Sequence, residues 1–397
     1  MFPPLIFDAH LDLAMNALEW NRDLTRPLAD LRAREAHLRD KPDRGRGTVC
    51  LPEMRRGRVA VCVATQIARL EHDAYSPVFG WRSPAQAWAM TQAQLAWYRA
   101  MEEAGEMRAI RTAAELEAHL AEWRAPAPPW RDPSDPPDQT DPSDQTDLSR
   151  SSPAPTGPRP AARSAPAPLP IGYLRSLEGA DSLITPAHLA RAHADGLRAL
   201  GPAHYGPGVY AQGTSTTGPF PARGLDLLRA ADDLGLILDV THLSDECFWQ
   251  ALNRYRGPVW ASHHNARALV PHQRQLADDQ FRALVARDSV VGVALDAWMM
   301  VPNWTRGQTT PQSAQLHLAT LADHIDHFCQ LAGNARHVGL GTDLDGAFGT
   351  EQTPQDLDSI ADLQKLPALL RARGYPEADI TGILSENFLR FLRGALP

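Results

Sequence analysis

The stretch Leu5-Ile6-Phe7-Asp8-Ala9-His10-Leu11-Asp12 combines a short apolar run with two polar side chains at its end. In a β-strand, residues i and i+2 point to the same face, so His10 and Asp12 leave the end of this strand side by side. Imidazole nitrogen and carboxylate oxygen are ligands that zinc accepts together. A single pair of this kind is a weak signal, so its meaning depends on the residues at the ends of the other strands.

Apolar runs of strand length recur along the chain, with helical stretches between them. We predict eight strands, at Leu5–Asp8, Val59–Ile67, Ile171–Leu177, Gly196–Leu200, Leu236–Val240, Pro258–Ser262, Val290–Leu295 and His337–Gly341. The predicted helices include Pro84–Ala104, Thr112–Trp123, Pro186–Ala194, Gly224–Leu234, Ser244–Asn253 and Leu316–Leu331. This alternation favours an α/β fold in which a parallel sheet closes into a (β/α)8 barrel of the TIM type. The alternative is an open doubly wound sheet, which would usually carry a Gly-rich nucleotide loop, and the sequence has none after an early strand.

Composition excludes several classes of function. The 397 residues are 43% hydrophobic and carry a net charge of −8, which indicates a globular protein and argues against nucleic acid or an anionic membrane surface as a partner. No apolar stretch approaches the roughly 20 residues needed to span a bilayer. Four cysteines without paired spacing (Cys50, Cys62, Cys247 and Cys329) favour reduced thiols. With no signal-peptide pattern, we expect a cytoplasmic protein.

One segment differs from the rest of the chain. Fourteen of the 34 prolines lie between Pro126 and Pro170, among repeated Asp, Ser and Ala-Pro units. Such a tract cannot bury enough apolar surface to offset its chain entropy. We predict a single barrel domain over residues 1–397, with 127–168 as a low-complexity, disordered surface insertion that serves as a linker rather than a docking segment. An enzyme should keep its turnover when 127–168 is deleted, whereas a docking protein should lose its partner.

Histidine, aspartate or glutamate, the residue types that bind metals, stand at the ends of most of the predicted strands. In a barrel of this kind, the C-terminal ends of the strands form the site. The residues at these ends are His10, Asp12, Glu178, His204, His242, His263 and Asp343. A lone histidine is usually a structural or surface residue, but a set at the same end of six strands is much more specific. The set therefore predicts a metal site at this rim.

The chemistry of such a site depends on its charges. Two neighbouring divalent ions need a bridging anion, and the carboxylate of Glu178 supplies one. Each ion would have its own pair of ligands, His10 with Asp12 and His242 with His263. A water that bridges both ions becomes hydroxide near neutral pH and acts as the nucleophile. Asp343, close by and free of tight ligation, could take its proton and pass it to a leaving group.

These motifs resemble those of the membrane dipeptidase (renal dipeptidase) family of zinc metallopeptidases, within the wider amidohydrolase-type barrels. The strongest are Gly235-Leu-Ile-Leu-Asp-Val-Thr-His242 and Pro258-Val-Trp-Ala-Ser-His263, whose histidines lie 21 positions apart. The stretch Val338–Gly346 supports the same assignment. The resemblance covers nearly the whole chain outside the insertion.

The resemblance implies two divalent ions, zinc in the family, with Glu178 bridging them, and dipeptides as substrates. It also implies that His204 polarises the scissile carbonyl and steadies the oxyanion. Arg274 would hold the C-terminal carboxylate of the substrate, a bidentate task that suits a guanidinium group. Asp343 would act as the general acid and base. Relatives of this kind suggest a homodimer.

Neighbouring residues compete for some of these roles. We favour His263 over His264 because His263 directly follows Ala-Ser at the strand end. We favour Asp343 over Asp345 because Asp345-Gly346 has the composition of a turn.

Other candidates are interpreted as structural or packing residues. We interpret Asp239 as a hydrogen-bonding residue at the edge of the core, and we expect His324 and His327 to be solvated on an outer helix. Arg267 is a weaker alternative to Arg274 and is interpreted as part of a salt bridge. Tyr205 and Trp298 are packing residues that could also line the pocket.

Three functions are compatible with these residues. The first is a zinc-dependent dipeptidase. The second keeps the binuclear site but acts on other substrates, as an N-acyl amino acid deacylase or a lactonase. The third, a non-catalytic metal-binding protein, would not require Asp343. Two segments at the predicted mouth, Ala64–Arg69 and Leu295–Met300, differ from the forms expected in animal members, so the side-chain preference stays open.

Overall fold

The computed structural model describes residues 3–71, 80–125 and 168–397. The predicted insertion at 127–168 lies outside these residues, apart from Pro168. In the described part of the chain, no helix is both long enough and apolar enough to cross a membrane.

The strands form one parallel sheet that closes on itself. They are β1 (Ile6–Leu11), β2 (Val59–Ile67), β3 (Met107–Ala109), β4 (Ile171–Glu178), β5 (Ala199–Gly201), β6 (Ile237–Asp239), β7 (Val259–Trp260), β8 (Val291–Val293) and β9 (Val338–Leu340). Their order is β7-β6-β5-β4-β2-β1-β9-β8, and a parallel bridge between Ala261 and Val291 joins the two ends. The prediction of a (β/α)8 barrel is confirmed.

Helices surround the barrel and connect its strands. They are α1 (Leu13–Glu19), α2 (Leu28–Glu35), α3 (Leu51–Arg56), α4 (Pro84–Glu103), α5 (Ala113–Arg124), α6 (Pro186–Ala194), α7 (Ala222–Asp233), α8 (Asp245–Arg254), α9 (Asp278–Val285), α10 (Ala297–Met300), α11 (Leu318–Ala332), α12 (Leu366–Ala372), α13 (Glu377–Thr381) and α14 (Asn387–Ala395). Thr112 and Glu115 form a capping box at the start of α5, which satisfies backbone N–H groups of its first turn.

The eight predicted strands are present, but most are shorter than predicted. The longest, β2, is buried at all nine positions, as expected for a strand covered on both faces. Strand β3 is absent from the prediction, because its three residues carry no pattern of their own. It pairs with the first half of β4, and β5 pairs with the second half.

Two positions in the barrel have room only for glycine, because neighbouring strands approach each other closely there. A Cβ atom at Gly292 or Gly341 would lie 2.0 or 1.8 Å from the carbonyl oxygen of Ser262, a distance that no side chain can adopt. The two glycines therefore let β8 and β9 approach the segment that carries His263. At the barrel wall, Phe388 of α14 stacks on Phe7 with ring centroids 5.1 Å apart, which fixes the last helix against β1.

The expectation of a solvated His324 is wrong. This histidine is fully buried on α11, where its Nδ1 accepts a hydrogen bond from the backbone N–H of Ala266 at 3.1 Å. Its Nε2 lies 3.1 Å from the carbonyl oxygen of Met300. His327 is half-buried, and its Nε2 lies 2.8 Å from a carboxylate oxygen of Asp278. Both histidines therefore connect outer elements to each other.

Candidate metal centre

The polar residues at the strand ends lie together at one rim of the barrel, around a single open pocket. It is lined by Asp12, Met15, Ile67, Glu178, His204, Tyr205, His242, His263, Arg274, Asp296, Met299, Arg306, Asp343 and Gly346. His10 contacts this lining, with its Nε2 atom 3.7 Å from oxygens of both Asp12 and Glu178. All eight residues proposed for the site from the sequence are therefore brought together.

Glu178, the last residue of β4, lies at the centre of the group. Its Oε1 is 3.1 Å from Nε2 of His242 and 3.5 Å from Nε2 of His263. Its Oε2 is 3.7 Å from Nε2 of His10 and 4.0 Å from Nε2 of His204. One carboxylate thus faces two groups of ligand atoms, one with each oxygen, as a bridging ligand would.

Each of three histidines is oriented by a hydroxyl group on its far side. Nδ1 of His242 lies 2.8 Å from Oγ1 of Thr214, and Nδ1 of His263 lies 2.8 Å from Oγ of Ser262. Nδ1 of His10 lies 3.3 Å from Oγ1 of Thr65.

These contacts leave Nε2 of each ring free to face Glu178. Hydrogen bonding at the far nitrogen is how proteins fix the tautomer and direction of a metal-binding imidazole. Thr214 and Thr65 could not be identified from the sequence, because they lie 28 and 55 positions from their histidines, whereas Ser262 directly precedes His263.

The chain is bent at the two positions where side chains must turn into the pocket. His242 has a φ of 69° and Asp343 a φ of 59°, both in the left-handed region that non-glycine residues rarely adopt. Gly346 lies three residues after Asp343, and a Cβ atom on Gly346 would lie 2.2 Å from Oδ1 of Asp343. The glycine therefore makes room for the Asp343 carboxylate.

Asp8 joins the two strands that carry the first and last site residues. Its Oδ1 accepts hydrogen bonds from the backbone N–H groups of His10 and Thr342, and its Oδ2 accepts one from the Thr342 hydroxyl at 2.5 Å. The backbone N–H of Asp343 also donates to the carbonyl oxygen of His10 at 3.3 Å. The ends of β1 and β9 are thus fixed to each other, which places Asp343 Oδ1 3.8 Å from Nε2 of His10.

Electrostatics at this rim favour a cation. Burial lowers the pKa values of His242 and His263 well below the usual range, so both rings are neutral and able to bind a metal. Burial raises the pKa of Asp343 well above its ordinary value and that of Glu178 to about 8. Burial opposes protonation of His10, but the negative charges of Glu178, Asp12 and Asp343 outweigh it and raise its pKa to about 10.

The donor set passes a direct test of fit for metal ions. Nε2 of His10, Oδ1 of Asp12 and Oε1 of Glu178 are buried without a hydrogen-bond partner, which is costly for polar atoms unless an ion satisfies them. Nε2 atoms of His242 and His263 lie only 3.2 Å apart.

Three groups each offer ligand atoms within 4.8 Å of one another: His10 with Asp12 and Glu178, Glu178 with His204 and His242, and His10 with His263 and Asp343. The residues fit the binding of cations.

Arg274 lies in the same pocket and is 2% exposed. Its Nη2 donates to the carbonyl oxygen of His263 at 2.9 Å, whereas its Nε and Nη1 are buried without a hydrogen-bond partner. Buried N–H donors of a guanidinium facing a pocket suit a carboxylate ligand. The alternative, Arg267, instead donates to both carboxylate oxygens of Asp245 at 2.7 and 2.9 Å, outside the pocket lining.

The competing residues occupy structural positions. Asp345 is buried, where it accepts hydrogen bonds from the Thr48 hydroxyl and from the backbone of Thr48 and Val49. Asp239 accepts from the backbone N–H groups of Thr241 and Ser262, two residues that precede the site histidines.

His264 is buried outside the pocket lining. Tyr205 lines the pocket, and Trp298 donates its indole N–H to Asp296 at 2.7 Å. Asp296 and Arg306, also in the lining, were not identified from the sequence.

Comparisons with known proteins identify the family of this chain. A family model described as "Membrane dipeptidase (Peptidase family M19)" matches residues 162–395. An uncharacterised protein of the pqqA 5′ region of Klebsiella pneumoniae is 34% identical over 209 residues, which cover 51% of this chain and 73% of that protein. The dipeptidase aclJ of Aspergillus oryzae is 30% identical over 227 residues, 56% of this chain, and the chain spans about half (51%) of its length.

A solved structure shares the fold over nearly the full length. It is a metallopeptidase from Rhodobacter sphaeroides liganded with a phosphinate mimic of the dipeptide L-Ala-D-Ala. The superposition has a TM-score of 0.71 with 21% sequence identity, and it covers 99% of this chain and 100% of the other.

Proposed function

The chain belongs to the membrane dipeptidase family of metallopeptidases, and from this premise we propose that it hydrolyses the peptide bond of dipeptides with two divalent metal ions. The single observation that carries the proposal is the position of Glu178, whose Oε1 faces His242 and His263 while its Oε2 faces His10. The Rhodobacter neighbour, which binds a dipeptide mimic, supports a dipeptide as the substrate.

The ligand atoms divide into two sets. His10 and Asp12 would hold one ion, His242 and His263 the other, and Glu178 both. Nitrogen and carboxylate ligands of this kind suit zinc, which we propose as the metal. When bound, the ions supply Lewis acidity for the scissile carbonyl and lower the pKa of water.

The other pocket residues act on the substrate. Arg274 binds the C-terminal carboxylate with its unpartnered N–H donors, which places the peptide bond at the rim. His204, whose Nε2 lies 4.0 Å from Glu178, is positioned to hold the carbonyl oxygen as negative charge develops there.

Proton transfer is assigned to Asp343. Its carboxylate accepts a proton from the attacking water and donates it to the leaving amine, a role that suits a buried carboxyl group with a raised pKa.

The proposal is tested by metal analysis together with a substrate comparison. Purified protein should contain about two divalent ions per chain, lose dipeptidase activity on dialysis against a chelator, and regain it with added zinc. Ala-Ala should be hydrolysed much faster than N-acetyl-alanine or a lactone. Faster turnover of N-acetyl-alanine would favour a deacylase, and metal binding without turnover of any of these substrates would contradict an enzymatic role.

A further inference from the structure

A charged pair lies in the wall of the pocket, apart from the candidate metal ligands. Nη2 of Arg306 is 3.6 Å from Oδ2 of Asp296, and both residues line the pocket. Asp296 lies between β8 and α10, directly before the first residue of α10. Arg306 belongs to the connection between α10 and α11. The pair adds a charged feature to a wall that also contains the apolar side chains of Met15, Ile67 and Met299.

The carboxylate of this pair is held in place by the protein. Asp296 is 4% exposed, and its Oδ1 accepts a hydrogen bond from Nε2 of Gln352 at 2.6 Å. Its Oδ2 accepts one from the indole N–H of Trp298 at 2.7 Å. Both oxygens thus have donors from the protein, so a substrate cation gains little from this carboxylate.

The guanidinium of the pair, by contrast, keeps free donors. Among the residues that the structure describes, Asp296 is the one ion-pair partner of Arg306, and 3.6 Å exceeds the length of an N–H···O hydrogen bond. The Arg306 side chain is 35% exposed, so its N–H donors are accessible to a ligand in the pocket. A guanidinium carries five N–H donors in a planar fork that matches a carboxylate.

From these contacts we infer that Arg306 is a specificity-determining residue that selects dipeptides with a carboxylate in a side chain, aspartyl or glutamyl. Asp296 keeps the guanidinium at the pocket wall in the absence of substrate. A basic side chain offers no acceptor to the free N–H donors and an uncharged amide oxygen makes a weaker contact, whereas a side-chain carboxylate accepts a pair of charge-assisted hydrogen bonds. The inference rests on the proposed dipeptidase function and names its substrate class.

The test compares dipeptides that differ in one functional group. Ala-Asp and its neutral isostere Ala-Asn, together with Asp-Ala, Asn-Ala, Ala-Lys and Ala-Ala, are assayed in L,L and L,D forms. We expect the metal-loaded wild-type protein to prefer an aspartyl dipeptide over its asparaginyl isostere by about tenfold or more in kcat/KM, mainly through KM. Arg306→Gln should remove most of this preference, and Arg306→Lys should keep part of it because it keeps the charge.

A matched control is Arg229→Gln, which removes a guanidinium on the exposed surface of α7 and should keep the wild-type preference. The inference is overturned if the wild type does not distinguish the isosteres. It is also overturned if Arg306→Gln lowers kcat/KM equally for acidic and neutral dipeptides, since the arginine would then bind a group that all dipeptides share. A wild-type protein that hydrolyses none of the dipeptides overturns the proposed function itself, whereas turnover of Ala-Ala without an acidic preference overturns the specificity inference alone.

Discussion

The hydroxyl of Thr214 lies 2.8 Å from Nδ1 of His242, and the opposite nitrogen of that ring lies 3.1 Å from Glu178. His242 also adopts a left-handed backbone conformation, with a φ of 69°. A hydrogen bond at the far nitrogen fixes the tautomer and direction of a metal-binding imidazole, and the Thr214 side chain supplies it. The threonine therefore acts on the candidate metal site through the histidine, without being a ligand itself.

Replacing Thr214 by valine should weaken metal binding while the protein stays folded. Loss of the hydroxyl frees the tautomer and rotation of His242, an effect that typically lowers metal affinity by 10–100-fold. Competition with a zinc chelator measures the change. Thr320→Val, on the half-buried face of α11, makes the same substitution away from the site and should keep wild-type affinity. Equal affinities in the Thr214 variant and the wild type would show that the hydroxyl does not orient the ring.

Glu178→Gln and Asp343→Asn should separate metal binding from proton transfer. The first removes the negative charge that both sets of ligands share, so we expect a loss of bound metal and of activity together. The second removes a proton acceptor and should lower kcat by about 10²–10⁴-fold with most of the metal retained. Metal content by elemental analysis and kcat on Ala-Ala provide the two measurements. Full turnover in Asp343→Asn would exclude it as the general base.

Arg274→Gln should weaken binding of dipeptides that have a free C-terminal carboxylate. The wild-type residue offers its Nε and Nη1 donors to this group, and a charged hydrogen-bonded contact contributes about 2–3 kcal/mol, or roughly 30–150-fold in kcat/KM. A dipeptide amide lacks the carboxylate, so Arg274→Gln should lower kcat/KM for the amide much less. A similar loss for Ala-Ala and Ala-Ala amide would show that Arg274 supports the site in another way.

The barrel and the clustering of site residues could be predicted because both depend on local patterns. Strand β2 is a continuous buried run, and the polar residues at or shortly after the ends of β1, β4 and β6 must meet because parallel strands end at the same rim. The orienting hydroxyl of Thr214 could not be predicted in this way. Thr214 precedes His242 by 28 positions, and only the folded loop brings the two together.

The pair formed by Asp296 and Arg306 was missed for a similar reason. Asp296 follows a strand end, a signal that could have marked it, but nothing in the sequence connects it with Arg306. The solvated interpretation of His324 was wrong because helix α11 buries this face against the segments that contain Ala266 and Met300. The homodimer and the identity of the metal stay predictions.

Arg22 should be one of the most important residues for stability outside the pocket. Its buried guanidinium forms ion pairs with Glu35 and Asp43 at 2.9 Å and with Asp345 at 3.4 Å. Arg22→Met would leave the buried carboxylates of Asp43 and Asp345 without their cation, whereas Glu35 keeps Arg44 at 2.8 Å, and we expect a cost of about 3–5 kcal/mol in the free energy of unfolding. Arg26→Met, which breaks an exposed pair, should cost less than about 1 kcal/mol. Urea unfolding measures both, and equal losses would contradict a structural role for the buried network.

His324 should make the folded protein sensitive to mild acid. Burial lowers the pKa of its imidazole from 6.5 to about 4, since the ring is enclosed and its hydrogen bond to Met300 only partly offsets the desolvation. Between pH 6.5 and about pH 4, His324 binds a proton in the unfolded chain but not in the folded one. The free energy of unfolding therefore falls as the pH drops from about 6.5 towards 4. At pH 5 this single group removes about 2 kcal/mol of stability.

A histidine-to-glutamine comparison tests this pH dependence. His324→Gln has no proton to gain, so it should be less stable than the wild type at pH 7.5 but lose about 2 kcal/mol less between pH 7.5 and pH 5. His37→Gln changes an exposed histidine and should follow the wild-type curve. Urea unfolding at the two pH values measures the differences. Parallel losses in the wild type and His324→Gln would show that another group causes the acid sensitivity.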